Sequence, residues 1–348
     1  MDTSWLRPVT EADGPFASVH MDESHDTEDA MKQLDLRLRE VETELAAQGA
    51  DPQTVAAVVA AVRDSRPPAG KAGRGVIAAR GSVLVNRRLA GPPATPEVRF
   101  SPLPYLVPLA VHTDEWPPYV VAAVDRVGAE IAEHGPGKPR THVVRGADHP
   151  VHKVRGGGTA HREIQKHTEE TTRQNLAETA REIAKTAERT AAAFVFLAGE
   201  VQSRSAVREL LPEALRPITV EVGTGDDRRI QEALTGHQLA GLDEVAAEFR
   251  AESGRTPGRA VAGLDAVTTA LTEANVATLL VASPGDATVF TGRRPADVAV
   301  GKSGLDAPVA RRADEALPFA AVATGADLAV LDERLDLWEG FGALLRHT

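Results

Sequence analysis

The chain has 348 residues, a net charge of −11 and no cysteine. This length predicts two to three domains. The acidic balance argues against nucleic-acid binding by the whole surface but leaves room for a local basic patch. The lack of cysteine excludes disulfides, thiolate zinc sites and thiol nucleophiles, as in a reducing cytoplasm. No apolar run reaches about 18 residues and the N-terminus has no signal-peptide pattern, so we expect a cytoplasmic protein without a membrane span.

The first part of the chain predicts a strand, two helices and a hairpin. Residues 16–20 have the composition of a strand. An amphipathic helix is predicted to begin after Asp26 and to end before Gly49, because apolar residues recur there at spacings of three and four: Met31, Leu34, Leu38, Val41 and Leu45. This stripe favours an intramolecular core over a dimer seam. A second helix begins at Asp51-Pro52, and residues 75–79 and 82–89 form a hairpin.

The middle of the chain predicts an α/β layer. Hairpin patterns at 119–125 and 128–133 are followed by short strands at 141–144 and 151–154 and a long helix at 160–190. The first half of this helix is polar on nearly every side, and its second half regains apolar positions. Further segments then alternate between strand and helix, which indicates parallel crossovers: strand 194–198, helix 206–211, strand 218–222 and helix 228–234.

A Gly/Pro linker at 254–258 precedes a third region that again alternates. Helices are predicted at 261–273 and within 308–323, where strand material follows the helix. Apolar strands are predicted at 276–281, 287–290 and 326–331, and residues 292–304 form a charged loop. The chain is therefore expected to combine α/β and α+β folds in three domains: 1–116, 117–254 and 255–348.

Three consecutive glycines, Gly156 to Gly158, lie between a predicted strand and the long helix. Glycine adopts backbone shapes that other residues avoid and lets the chain approach a ligand closely. The run matches neither a Walker loop nor the GxGxxG fingerprint, so no nucleotide cofactor is expected. On a basic stem in an acidic protein, this loop fits a probe that enters a negatively charged partner. An ordinary surface loop is the alternative.

The charge is unevenly distributed. Residues 138–173 carry a net charge of +4, whereas the rest of the chain carries −15. Basic side chains that face phosphates release counterions, so such a patch can drive contact with RNA; a solvated polar face is the alternative. His161 and His167 diverge on a helix, and we expect no metal site. Stacking or hydrogen bonding to RNA fits the histidines of this region better.

The glycine run and the chain end resemble the archaeal and eukaryotic class-1 peptide release factors. In the loop of that family, an arginine and two glycines precede a glutamine, a small residue, alanine, another residue and arginine, and a long polar helix follows. Arg155, Thr159-Ala160 and Arg162 keep this pattern, and residues 339–346 resemble the Phe/Gly-rich terminal strand. The resemblance covers about residues 117–348 and implies an RNase H-like middle domain and a small α/β C-terminal domain.

Two departures from the family pattern bear on function. Gly158 stands where the family places its catalytic glutamine, which helps a water attack the peptidyl-tRNA ester. The N-terminal segment has no Asn-Ile-Lys-Ser motif, so stop-codon decoding is not expected. This combination resembles the bacterial release-factor-like group of Balon-type ribosome hibernation factors and Vms/Ankzf-type peptidyl-tRNA hydrolase-like proteins. It implies binding in the ribosomal A site, with the third domain facing a translational GTPase such as EF-Tu.

Two functions within this resemblance stay open. The favoured one is a non-catalytic ribosome-binding factor of dormancy or stress, whose loop enters the peptidyl transferase centre. Its expected contacts to ribosomal or transfer RNA are Lys153, Arg155, Gly156, Gly157, Gly158, Thr159, Arg162, Lys166 and Arg173. The other is a peptidyl-tRNA hydrolase that uses loop amides and a water placed by Thr159 or His161. A stand-alone α/β protein unrelated to ribosomes is a third interpretation.

Overall fold

The computed structural model describes residues 2–25, 29–65, 72–89, 91–111, 116–135, 139–146 and 159–348, and the side chains of the last range from residue 169 onward. The fold is mixed α/β, as expected. Two compact units are present, one made of Met1–Asp114 with Ala240–Thr348 and the other of Glu115–Leu239. The predicted division at 254/255 lies inside the first unit, and the three-domain organisation stays a prediction.

The N-terminal part of the first unit is an antiparallel four-stranded sheet in the order β3-β2-β1-β4. Its elements are α1 (Arg7–Glu11), β1 (Phe16–Asp22), α2 (Ala30–Ala47), α3 (Pro52–Arg63), β2 (Gly73–Ala79), β3 (Ser82–Leu89), β4 (Glu97–Ser101) and α4 (Val107–Val111). The predicted strand, both helices and the hairpin are confirmed. Strand β4 was not predicted, because proline-rich segments flank it and it is completed by pairing with β1.

Helices α2 and α3 pack on one face of this sheet. The buried residues of α2 are Ala30, Leu34, Leu38, Val41 and Leu45. Met31 is 57% exposed and does not belong to the stripe, because Ala30 takes the inward position one turn before Leu34. Helix α3 begins at Pro52 as predicted, and the Thr54 amide donates to the Asp51 carboxylate at 2.9 Å. The stripe is thus intramolecular core, whereas Asp26 lies outside the described residues.

The second unit contains a five-stranded sheet in the order β7-β6-β5-β8-β9. Its elements are β5 (Tyr119–Val124), β6 (Gly128–His134), β7 (Arg140–Arg145), α5 (Thr159–Thr190), β8 (Phe194–Gly199), α6 (Val201–Leu210) and β9 (Thr219–Glu221). Helix α7 (Asp227–Ser253) begins in this unit and continues into the first, which resumes at Ala240. Strands β5, β8 and β9 are parallel, and β5, β6 and β7 are antiparallel. The predicted hairpin, long helix and parallel layer are confirmed, while the strand expected at 151–154 lies outside the described residues.

The C-terminal part of the first unit adds two small sheets, in the orders β10-β16-β11-β15 and β13-β12-β14. The elements are β10 (Ala260–Ala262), α8 (Leu264–Thr272), β11 (Val276–Val281), β12 (Thr288–Thr291), β13 (Val298–Ala299), β14 (Val309–Arg312), α9 (Ala313–Ala323), β15 (Asp327–Val330) and β16 (Phe341–Leu345). The order predicted within 308–323 is wrong: the strand comes first, because residues 309–312 pair with β12 before the helix begins.

The two chain segments of the first unit share a core. Tyr105 and Val107 belong to the cluster of buried residues built around α8, α9 and β11. The Arg99 guanidinium lies 3.4 Å from the centre of the Tyr105 ring and donates to the Asp314 carboxylate at 2.9 Å. Thr3 Oγ1 donates to the Ala326 carbonyl at 2.7 Å. The segment between β4 and α4 therefore packs against the C-terminal region.

Candidate functional site

The glycine run itself lies outside the described residues, together with Lys153 and Arg155. Thr159 is the first residue of α5, and His161, Arg162 and Lys166 lie in its first turns. The side chains of these four residues are also outside the description. The structure therefore places the start of the helix directly after the glycine run, as the sequence predicts.

Arg173 is the one predicted RNA-binding residue whose side chain is described. It lies on α5 and pairs with Glu170 at 3.0 Å, with 75% of the Arg173 side chain and 49% of the Glu170 side chain exposed. Ion pairs this exposed are held weakly, since water and salt screen them. Arg173 can therefore exchange its carboxylate partner for a phosphate at little cost.

The second half of α5 fixes the helix to the sheet. Leu176, Ala180, Ile183 and Ala187 are buried against β5 and β6. These are the apolar positions that the sequence predicts. The first half of the helix carries no comparable set in its described part, where Glu169, Glu170, Arg173 and Gln174 are exposed. Helix α5 therefore has a second half docked on the sheet and, in the described part of its first half, a polar surface.

Strand β7, which precedes the loop in the chain, is also held in place. Strand β7 ends at Arg145, and the Gly146 amide donates to the Val127 carbonyl at 2.8 Å. A Cβ atom on Gly146 would lie 2.0 Å from Oδ1 of Asn175, a buried residue of α5. Glycine is needed here because the chain passes in direct contact with the Asn175 side chain. Strand β7 and α5 thus meet at Gly146 and Asn175, just before the loop begins.

An ion-pair cluster holds the other end of α5 to the hairpin. Arg189 donates to both carboxylate oxygens of Glu133, at 3.0 and 2.7 Å. This bidentate hydrogen bond holds the pKa of the Glu133 carboxyl below its ordinary value, although partial burial opposes the shift. His142 Nδ1 lies 3.5 Å from the same carboxylate. These contacts hold α5 to the hairpin, so we assign Arg189 and Glu133 a role in positioning the helix and no chemical role.

The stem of the loop is basic at its outer edge. Arg140 and Arg145 lie on the edge strand β7 and are exposed. Arg145 forms no ion pair with any side chain that the structure describes. An arginine without a carboxylate partner can bind a phosphate oxygen through its forked donors without first losing a salt bridge. The positive potential inferred from residues 138–173 is therefore present on the described strand that leads into the loop.

The described part of the chain has neither a cluster suited to a metal ion nor a helix suited to a bilayer. None of its groups of histidine, aspartate and glutamate side chains could hold a metal ion. Within the same residues, no helix combines the length and apolarity of a bilayer span.

Comparison with known proteins assigns the chain to a family. Residues 118–255 match the family model for the bacterial archaeo-eukaryotic release factor family 2. The uncharacterized protein Rv2629 of Mycobacterium tuberculosis is 38% identical over 100% of this chain and 97% of its own length. The chain belongs to bacterial archaeo-eukaryotic release factor family 2. The matched residues contain the glycine run, α5 and the whole parallel layer, so the suspected relation to release factors is confirmed.

Solved structures of release-factor-like proteins are also similar to this family member. Pelota from Archaeoglobus fulgidus is 14% identical, with 80% of each chain covered and a TM-score of 0.39. An archaeal translation termination factor, aRF1, is 14% identical, with 98% of this chain and 96% of that chain covered and a TM-score of 0.24.

Three residues of this site were not predicted from the sequence: Gly146, Asn175 and Arg189. Gly146 and Asn175 are separated by 29 positions along the printed chain, so their contact depends on how α5 docks. Arg189 is paired with Glu133, which lies 56 positions away on β6. A sequence signal existed only for Gly146, since an isolated glycine at a strand end often marks a close backbone approach.

We expect Gly146→Ala to destabilise the second unit by about 1–3 kcal/mol, because the new methyl group would overlap the Asn175 side chain. Thermal unfolding followed by circular dichroism measures this effect. Gly135→Ala is the matched control, since a Cβ there would lie 3.7 Å from Pro118, an ordinary contact distance. Equal unfolding midpoints for the two variants would contradict the packing assigned to Gly146.

Proposed function

We propose that this protein binds the bacterial ribosome in the A site and holds it in an inactive state without hydrolysing peptidyl-tRNA. Membership of a release factor family carries the proposal. The loop would enter the peptidyl transferase centre, and its basic neighbours would contact ribosomal or transfer RNA. A role in dormancy or stress and a location in the cytoplasm belong to the same proposal.

The geometry at the base of the loop supports an inserted probe. Helix α5 has 32 residues, and a helix rises about 1.5 Å per residue, so its length is about 48 Å. Its second half is docked, and its polar first half carries the loop at its beginning. The exposed arginines of β7 and α5 supply positive charge near the base of that probe. An otherwise acidic surface then limits RNA binding to places where the shape also fits.

The absence of hydrolysis rests on Gly158. The family resemblance places a catalytic glutamine at this position, and a glycine has no side chain that could orient a water. Neighbouring backbone amides could stabilise charge on the ester oxygen, but they do not replace the missing group that places the nucleophile. We therefore expect the ester of a bound peptidyl-tRNA to stay intact.

Peptidyl-tRNA hydrolysis is the second candidate function, and the start of α5 favours it. Thr159 is the first residue of α5, so the amides of the first turn have no partner within the helix. Such amides can bind a developing oxyanion. Thr159 or His161 would then place the attacking water. This candidate predicts peptide release that falls when either side chain is removed.

A translational GTPase such as EF-Tu is a proposed partner of the C-terminal region. The support is the family relationship alone, since release factors act together with GTPases. Binding of purified EF-Tu to the full chain, with and without ribosomes, tests this partner separately.

Co-sedimentation with bacterial ribosomes that carry labelled peptidyl-tRNA tests the main proposal. We expect the protein in the ribosome pellet, with the labelled peptide still attached to tRNA. Release of peptide by the wild-type protein would favour the hydrolase. Failure to pellet at low salt would contradict ribosome binding itself, since phosphate contacts are strongest there.

We expect Gly158→Gln to change the chemical outcome, because it supplies an amide where the family resemblance places one. Peptide release should then exceed the wild-type level, and the labelled-peptide assay measures it. Gly158→Asn is the matched control, because it carries the same amide on a side chain one methylene shorter. Equal release by both variants would show that the position of the amide does not matter and would contradict the assigned correspondence.

A further inference from the structure

Trp338 is the most exposed large hydrophobic residue that the structure describes, with 75% of its surface accessible. It lies in a short turn, Trp338–Gly340, that leads into β16. Its neighbours Leu337 and Phe341 are buried, so the turn interrupts a buried stretch to direct the indole outward. A tryptophan in water gains nothing for folding, whereas tryptophans are common energetic centres of protein interfaces.

The surrounding backbone holds this turn in one conformation. The Glu339 carboxylate accepts a hydrogen bond from the Leu264 amide at 2.8 Å, at the start of α8. Gly340 has a φ of +77°, and a Cβ atom there would lie 2.6 Å from the Ser283 carbonyl oxygen. A Cβ on Gly263 would lie 2.7 Å from Cδ1 of Trp338, so the indole edge rests directly on the Gly263 backbone. The ring is therefore presented in advance of binding, which lowers the entropic cost of contact.

Acidic residues flank Trp338 in the sequence and follow Gly263, whose backbone the indole contacts. Asp336 and Glu339 lie within two positions of Trp338, and Asp265 follows the residue that Glu339 caps. None of these carboxylates forms an ion pair within the described part of the chain. Arg334 is the one basic residue between Leu331 and Leu345, and it is already engaged by Asp243 at 2.8 Å. Arg250 donates to the Arg334 carbonyl, so within the described residues neither arginine is paired with Asp265, Asp336 or Glu339.

This combination selects one class of partner. RNA stacks on exposed aromatic rings where basic groups guide its backbone, and the carboxylates here would repel phosphate. An anionic membrane surface is disfavoured for the same reason. A guanidinium group fits both features, since it stacks on the face of a tryptophan and pairs with carboxylates.

We propose that Trp338, with Asp265 and Asp336, is a docking site for an arginine-bearing basic segment of a partner protein. The arginine side chain stacks on the indole, and the two aspartates bind neighbouring basic residues of the same segment. This proposal does not depend on the function proposed for the glycine loop.

Fluorescence anisotropy of a labelled Arg-Gly repeat peptide, titrated with the full-length protein at physiological salt, tests this site. We expect Trp338→Ala to weaken binding about tenfold, in the range of an interface anchor, and Trp338→Phe to weaken it less. Replacing Asp265 and Asp336 together by asparagine should also weaken binding and reduce its dependence on salt. A Lys-Gly peptide should bind more weakly than the Arg-Gly peptide, because ammonium groups stack less well.

The matched control removes the same charge elsewhere. Asp35→Asn with Glu40→Gln changes two exposed carboxylates of α2 and should leave peptide binding unchanged. An equal loss in this control would show general attraction to an acidic protein and would overturn the site. Unchanged binding by Trp338→Ala would also overturn it, as would Trp338-dependent binding of a uridine oligonucleotide or Trp338-dependent self-association in sedimentation.

Discussion

Replacing Arg74 by alanine is expected to lower the free energy of unfolding by about 3–5 kcal/mol, because it leaves the charge of Glu23 buried without a partner. Arg74 and Glu23 are 7% and 1% exposed. Nε and Nη2 of Arg74 donate to the two carboxylate oxygens of Glu23, at 2.9 and 3.0 Å. The Ser65 hydroxyl donates to the same carboxylate. The pair joins the end of β1 to β2.

The size of this effect depends on whether one or both members of the ion pair are replaced. Glu23→Gln with Arg74→Met removes both charges and keeps most of the side-chain volume, so it should cost much less than Arg74→Ala alone. Urea unfolding of the wild type and both variants measures the difference. A cost below about 1 kcal/mol for Arg74→Ala would be typical of a solvated surface pair and would contradict the burial of Glu23.

Short-range sequence patterns predicted the elements that are stabilised by residues a few positions apart. Helix α3 follows from its Asp51 cap and Pro52, and the β2–β3 hairpin follows from its turn at Arg80-Gly81. Strands β4 and β14 have no such signal, since five and four residues become strands only through their partners β1 and β12. The Glu23–Arg74 pair is likewise fixed by the register of β1 against β2.

The features of the loop region and of the Trp338 site divide in the same way. The glycine run and the polar first half of α5 are properties of consecutive residues, so the sequence alone identified them. The contact of Gly146 with Asn175 and the exposure of Trp338 depend on tertiary packing. Phe341 follows Trp338 by three positions but is fully buried, and composition could not tell these two aromatic residues apart.

The largest functional effect is expected from Lys153→Ala combined with Arg155→Ala. We expect the affinity for ribosomes at physiological salt to fall by about 10- to 100-fold, because two phosphate contacts are lost. Each contact releases close to one counterion, so the slope of log affinity against log salt should decrease by about 1.4–1.8. Co-sedimentation at several salt concentrations measures both quantities.

Two controls distinguish the loss of specific phosphate contacts from the loss of net positive charge. Arg39→Ala with Arg229→Ala removes two exposed positive charges outside residues 138–173 and should change the affinity much less. Lys153→Arg with Arg155→Lys preserves the charge and should preserve the salt slope. A loss of affinity in the first control equal to that of the loop variant would mean that net charge alone governs binding. The local charge of +4 in residues 138–173 would then have no special part in ribosome recognition.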